Sequence, residues 1–158
     1  MLKKIVGSVA LGGVAVFGIG AVDNTTRDDS GSIVEAGELG AFVTQVGDCF
    51  FDLPQNEVGI TTVQGVPCSE AHHWQVVHKE NISLDEFDAG SVTTLADNLC
   101  NRAVENIANS ISYEKALEYE DASLSGLYPT EQSWLKDDRT VDCLLGNDVI
   151  TYYSSILD

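Results

Sequence analysis

An uncharged run of eighteen residues near the N-terminus, Ile5 to Val22, constrains this chain more than any other feature. Lys3 and Lys4 precede it, and cations before an apolar segment hold the N-terminus in the cytoplasm while the rest crosses the membrane. At about 1.5 Å per residue, a helix of this length just crosses a hydrocarbon layer of about 30 Å. We therefore predict a single-pass anchor over 1–22 with the C-terminal part outside the cell membrane. A signal peptide cleaved after Gly20, giving a secreted protein, is the alternative.

Acidic residues dominate the charge of the chain. Its 158 residues include 25 Asp and Glu but only 8 Lys and Arg, a formal net charge of −17. Because Lys3 and Lys4 belong to the leader, the part beyond it carries −19. Nucleic acids are bound through Lys and Arg, so this charge argues against a nucleic-acid partner. We expect an unknown protein or cell-envelope component as partner, with the membrane contacted through the N-terminal segment. The acidity indicates a solvated exterior surface or, alternatively, a cationic partner.

The chain has four cysteines, all beyond the leader: Cys49, Cys68, Cys100 and Cys143. An even number of cysteines in an oxidising compartment predicts disulfides, and three pairings are possible. Cys49 and Cys68 flank a predicted hairpin, whereas Cys100 lies on a predicted helix and Cys143 on a later strand. This placement favours Cys49–Cys68 and Cys100–Cys143. Because no C-x-x-C or paired Cys/His spacing is present, we predict no metal site.

The composition divides the chain into three parts. Residues 23–41 are rich in Asp, Ser, Thr and Gly and predict a flexible acidic linker, followed by an extracytoplasmic domain over 42–158. The clearest element is a helix from Val92 to Ala108, whose apolar residues recur at spacings of three and four, with Ser91 as its cap. Strand-like segments are 42–53, 58–66, 73–79, 140–145 and 149–153, the last returning antiparallel to its predecessor. We predict an α+β fold in which a small antiparallel sheet packs against one main helix and two disulfides cross-link the domain.

No catalytic constellation or cofactor motif stands out. Regular strand alternation would place His78 on the face of Trp74 and Val76, too far along the strand from His72 to share a metal ion. Cys68 near His72 resembles a thiol–imidazole pair, but a disulfide would remove the thiol. We predict no enzyme activity. An extracytoplasmic hydrolase that uses a thiol or a carboxylate pair is the alternative.

Four side chains are candidates for contact with a partner: Trp74, Trp134, Tyr128 and His72. Tryptophan and tyrosine are enriched at the centres of interfaces, and a patch near the C-terminal strand would suit them. The competing interpretation is packing: the tryptophans lie over the disulfides, and His72 or His73 stabilises the turn after Cys68.

Several short motifs occur in the order typical of one family. The first segments are Val46–Phe50, with the sequence VGDCF, and Val66–Glu70, with VPCSE, followed by a histidine. The later segments are Tyr128–Thr130, Ser133–Trp134, Asp138–Arg139 and Val141–Leu144. Over about 42–156 the chain resembles the septum-formation-related domain of actinobacterial membrane proteins. It departs from the pattern at Ala71, Gln75 and Asp137.

The resemblance implies a leader or membrane anchor, an extracytoplasmic domain and a link to the division septum, without a defined activity. We therefore predict a membrane-anchored, non-enzymatic binding or scaffold domain. The alternatives are the extracytoplasmic enzyme and a cleaved secreted binding protein.

Overall fold

The computed structural model of the chain describes residues 9–12, 22–53 and 62–158. None of the helices within these ranges is both long and apolar enough to cross a bilayer. Most of the predicted leader lies outside the described residues, so the anchor stays a prediction.

Nine strands and three helices make up the described part of the chain. The strands are β1 (Val9–Gly12), β2 (Thr26–Arg27), β3 (Ile33–Glu35), β4 (Gly37–Gly40), β5 (Cys49–Phe50), β6 (Thr62–Val66), β7 (Trp74–Asn81), β8 (Ser123–Tyr128) and β9 (Thr140–Gly146). The helices are α1 (Ala89–Ala108), α2 (Tyr113–Glu118) and α3 (Glu131–Trp134). Seven strands form one sheet in the order β1-β8-β9-β7-β5-β6-β4, and β2 pairs with β3. Every pairing is antiparallel except the one between β1 and β8.

The predicted long helix is present as α1. It begins three residues earlier than predicted because Asp88, rather than Ser91, is the N-cap residue: its carboxylate accepts a hydrogen bond from the backbone N–H of Ser91. Most of the predicted stripe is buried, with Cys100 beside it: Val92, Ala96, Leu99, Ala103 and Val104. Leu95, an apolar residue of the same spacing, is exposed. At α3, Thr130 and Ser133 form a capping box.

Two apolar clusters share the sheet. The helical cluster joins α1 to one face of β7–β9 and includes Leu99, Tyr119 and Leu145. The N-terminal cluster lies among β3, β4, β6 and the other sheet face, and includes Leu39 and Leu144. Adjacent strand residues point to opposite faces, so Leu144 and Leu145 enter different clusters. The fold is therefore α+β with an antiparallel sheet, as predicted, but α1 covers only part of that sheet.

The segment 23–41, predicted as a flexible linker, is built into the fold. It contains β2, β3 and β4, and the side chains of Ile33 and Leu39 are buried in the N-terminal cluster. The Arg27 guanidinium donates to both carboxylate oxygens of Asp48, at 2.6 and 2.9 Å. Composition missed these strands because polar residues outnumber the few apolar ones, and an ion pair across 21 residues has no local signature.

The neighbours of β9 differ from the prediction. β9 lies between β7 and β8, and the sequence pattern did not reveal β8 because Ser125 and Gly126 interrupt its apolar residues. The segment 149–153 forms no strand against β9. Instead, Tyr152 makes an isolated antiparallel bridge with His72.

Both disulfides have the predicted pairing. Cys49–Cys68 links β5 to the turn after β6, with a Cα–Cα distance of 5.3 Å. Cys100–Cys143 links α1 to β9, with a Cα–Cα distance of 5.2 Å. Each half of the sheet is thus cross-linked once.

Candidate functional site

A narrow cleft opens beside the first residues of β9. Asp138, Thr140 and Asp142 recur at every second position and therefore share one side of the chain there. Of these, Asp142 is only 3 % exposed, although it lies in a strand of buried apolar residues. We call this the Lys79–Asp142 cleft. Its empty volume, open mouth included, is about 240 Å³, and it is lined by Ala41, Phe42, Lys79, Leu127, Tyr128, Asp138, Thr140 and Asp142.

A β-bulge in β7 brings Lys79 to this cleft. The register shifts between Val76 and His78, so that Lys79 pairs with Asp142 across the ladder. Without the extra residue, Lys79 would point to the opposite face from Val76. The predicted alternation, in which His78 shares a face with Trp74 and Val76, is therefore wrong. His78 instead lines a groove beside α1.

Lys79 is fully engaged by its neighbours. Its Nζ donates to the backbone carbonyl of Thr44 at 2.8 Å and to the Thr44 hydroxyl at 3.1 Å, and lies 3.2 Å from Asp142 Oδ1. The Thr44 hydroxyl also contacts Asp142 Oδ2. An ammonium group has three N–H donors, so these contacts use its whole capacity. The three residues hold the turn around Thr44 against β7 and β9.

Burial dominates the electrostatics of Asp142. Loss of hydration raises the pKa of this carboxyl above its usual value, while Lys79 and Thr44 oppose the rise and Asp138 adds to it. Asp142 Oδ1 is buried and lies 3.2 Å from the Lys79 ammonium, so the two groups form an ion pair. The carboxylate is therefore held in the interior by Lys79 and Thr44.

Sequence reasoning did not identify this site. A charged residue inside the apolar segment Val141–Leu145 was a usable signal for Asp142, because isolated buried carboxylates are rare. Lys79 and Thr44 had no such signal, since their contact depends on the bulge and on a turn distant in sequence.

His72 lies in the interior, with no exposed surface. Its Nδ1 is 2.9 Å from the Glu70 carbonyl oxygen, and its Nε2 is 3.4 Å from the Tyr119 hydroxyl. Burial lowers the pKa of this imidazole below its ordinary value of 6.5. This placement favours the role of stabilising the turn after Cys68. Contact with a partner stays a prediction.

The other predicted partner-binding residues are dispersed. Trp74 belongs to the N-terminal cluster and donates from Nε1 to Asp148 at 2.9 Å. Trp134 belongs to the helical cluster, with the Arg139 guanidinium 3.5 Å above its ring. Tyr128 lies at the end of β8 and packs against the helical cluster, and burial raises the pKa of its phenol. Both tryptophans are buried in apolar clusters. A position over the disulfides and contact with a partner stay predictions.

The other residues considered for a metal site or a thiol–imidazole pair have different contacts. His73 stacks on Phe51, and His78 lies 3.0 Å from Glu80. Within 9–12, 22–53 and 62–158, no group of three His, Cys, Asp or Glu residues is placed to hold a metal ion. Cys68 is bonded to Cys49, so it has no thiol to pair with an imidazole.

The VGDCF motif has a physical role in the fold. Gly47 has a φ of 101°, a conformation that side chains disfavour, and this permits the turn before β5. The Asp48 carboxylate accepts from Gln45 N–H at 2.8 Å and binds Arg27. Cys49 then forms the disulfide to Cys68. The motif thus joins the N-terminal strands to the central sheet.

Comparison with known proteins places this architecture in a family. The family model described as Septum formation matches residues 20–145, which include all of the strands from β2 to β8 and most of β9. The match begins well before the predicted domain start at residue 42, in agreement with the strands found in 23–41. No curated protein and no solved structure matches the chain. The chain belongs to the septum formation family.

Proposed function

We propose that this protein is a membrane-anchored, extracytoplasmic binding domain that acts in formation of the division septum. The observation that carries the proposal is the family match over 20–145, which covers the N-terminal cluster, most of the helical cluster and the Lys79–Asp142 cleft. The link to septation comes from the family. The binding role is our inference from the state of two candidate reactive groups, the Cys68 sulfur and the Thr44 hydroxyl.

The disulfides support a position outside the cytoplasm. All four cysteines are paired, and Cys49, Cys100 and Cys143 are buried. Disulfides of this kind form and persist in oxidising compartments and are rare in the cytosol. Together with the uncharged run after Lys3 and Lys4, this supports export of the domain and its retention by an N-terminal anchor.

The state of the reactive groups supports binding rather than catalysis. A thiol nucleophile would need Cys68 reduced, and the Thr44 hydroxyl is buried against Lys79 and Asp142. The hydroxyl therefore has no open approach for a substrate.

The test is to locate the full chain in dividing cells with an extracytoplasmic tag, beside a strain that lacks it. We expect enrichment at the septum and misplaced or incomplete septa in the deletion strain, restored by the full chain. A matched control carries a cleavable signal in place of residues 1–22, which separates export from anchoring. Uniform distribution with normal septa in the deletion strain would refute the septal role.

A carboxylate-dependent enzyme is the second candidate, favoured by the raised pKa of Asp142, because general acids have raised pKa values. It predicts that purified full-length chain releases fragments from cell-envelope preparations and that Asp142→Asn abolishes the release. A chain that releases no fragments under any condition, yet restores septation, would support the binding role.

A further inference from the structure

We propose that the edge of β7 beyond its bulge binds an extended peptide of a partner protein as an added strand. The peptide carries apolar side chains for the groove beside α1 and a carboxylate for Arg102. The proposal names the partner chemistry of the binding role proposed above and rests on that role. It does not depend on the link to the septum.

The first argument is the unpaired edge of β7. Its neighbour β5 pairs with Trp74 and Gln75. The next bonds on that side hold Val76, which accepts from Gly47 N–H at 2.8 Å and donates to the Asp48 carbonyl at 2.9 Å. The φ of 101° at Gly47 then turns the chain away from β7. In the part of the chain that the structure describes, no strand pairs with this side of β7 beyond Val76.

Two residues of this edge direct their backbone groups outward. The N–H of Ile82 donates at 2.8 Å to the carbonyl of the residue that precedes β9, in register with the pairing of β7 and β9. In an antiparallel ladder, opposite residues exchange hydrogen bonds at every second position. His78 and Glu80 therefore bond to β9, and the N–H and C=O groups of Lys79 and Asn81 point away from it. A peptide strand would bond to these outward groups, as in β-strand addition.

The second argument is the groove beside this edge, which His78 also lines. It lies between β7 and α1, and its empty volume, open mouth included, is about 680 Å³. Because alternate residues of a strand share a face, every second side chain of an added peptide would point toward this groove. These side chains should be apolar, since the floor of the groove is formed by Val77, Leu99, Ala103 and Ile107.

The third argument is the charge of Arg102. This residue lines the groove, is exposed, and makes no ion pair with a carboxylate of any described residue. The Glu80 carboxylate lies 3.0 Å from His78 instead. A carboxylate on the peptide would pair with the guanidinium. Because the charge of −19 beyond the leader repels acidic peptides in general, a preference for an acidic peptide requires such a local cation.

The edge is also built to be selective. A long, flat, apolar edge pairs with many strands and aggregates, whereas bulges and charged side chains limit this pairing. This edge follows the bulge between Val76 and His78 and carries the charged residues Lys79 and Glu80. It therefore suits a peptide of matching pattern rather than any extended chain.

The test is an NMR titration of the isotope-labelled full chain in detergent with a blocked heptapeptide, TVTITDT. The reversed sequence is titrated as well, because an added strand runs in either direction. An analogue with Asn in place of Asp removes the charge, and an analogue N-methylated at every residue removes the backbone donors. We expect saturable binding of an acidic peptide, about fivefold weaker binding of its Asn analogue, and none of the N-methylated form. The amide protons of Lys79 and Asn81 should exchange more slowly with solvent in the complex.

Arg102 provides the decisive variants. Arg102→Gln should bind the acidic peptide and its Asn analogue alike, whereas Arg102→Lys should keep the preference. Glu105→Gln, on the same helix but outside the groove, is the matched control and should also keep it.

Three results would overturn the proposal: no saturable binding of either acidic peptide, binding that leaves the amides of Lys79 and Asn81 unprotected, or an acidic preference that persists in Arg102→Gln. Each is measured on the purified chain, so a failure here is distinct from a failure of the septal localisation.

Discussion

The two halves of the sheet are stabilised in different ways. In the helical half, α1 packs an apolar stripe on β7–β9, and Cys100–Cys143 links helix and sheet across 43 residues. In the N-terminal half, short strands surround a smaller cluster, Cys49–Cys68 spans only 19 residues, and Arg27 pairs with Asp48. Apolar burial that recurs along a helix is visible in sequence. The contacts between residues far apart in the chain that assemble the N-terminal half are not visible in sequence, although both halves share one sheet.

The largest loss of stability should appear when each disulfide is removed. The double variant Cys100→Ala/Cys143→Ala frees a loop of 43 residues and should lower the free energy of unfolding by about 4 kcal/mol, against about 3 kcal/mol for Cys49→Ala/Cys68→Ala. Urea unfolding followed by circular dichroism measures both values. If the variant that opens the shorter loop loses more free energy of unfolding, loop entropy does not decide which half depends more on its disulfide.

The ion pair of the N-terminal half is the next target. Arg27→Met leaves Asp48, which is 3 % exposed, without its charged partner and should lower the free energy of unfolding by about 3 kcal/mol. Arg102→Met on the exposed side of α1 is the matched control, expected to change stability by less than about 0.5 kcal/mol. Equal effects of the two substitutions would mean that the buried pair does not distinguish the halves.

A helix cap tests the helical half at a smaller scale. Thr130→Ala removes the hydroxyl that accepts from the Ser133 N–H at 3.1 Å and should lower the free energy of unfolding by about 1 kcal/mol. Thr130→Ser, which keeps the capping oxygen, should restore most of it. If both variants unfold alike, the cap is not what stabilises the start of α3.

The smallest effect concerns His72 and is confined to acidic solution. Because burial lowers the pKa of the folded imidazole, the unfolded chain binds more protons as the pH falls below 6.5. The contribution of His72 is therefore full above that pH and declines toward the lower folded pKa. Unfolding of native chain and His72→Gln between pH 8 and pH 5 should show a steeper acid loss in the native chain. His78→Gln, at a partly exposed imidazole, should keep the steep loss, and parallel curves for native and His72→Gln would contradict the expectation.

Local patterns predicted the helical half well. The spacing of Val92, Ala96, Leu99 and Val104 predicted α1, and the placement of Cys100 on that helix predicted its bond to Cys143. These predictions hold because helix periodicity places residues three and four apart on one face, whichever element packs against that face.

The same reasoning failed where contacts are distant. The interruption at Gly126 concealed β8, the bulge after Val76 reversed the face of Lys79, and the polar composition of 23–41 concealed three strands. In each case the deciding partner lies far away along the chain.

The sequence alone therefore determined the family, the pairing of four cysteines, the α+β class and the acidic character of the domain. Only the tertiary structure decided that Arg27 and Asp48 join the N-terminal segment to the sheet, and that Thr44, Lys79 and Asp142 meet at one cleft. The physical reason is that periodicity and composition are local properties. A buried charge, by contrast, is tolerated only when a partner reaches it through the folded backbone.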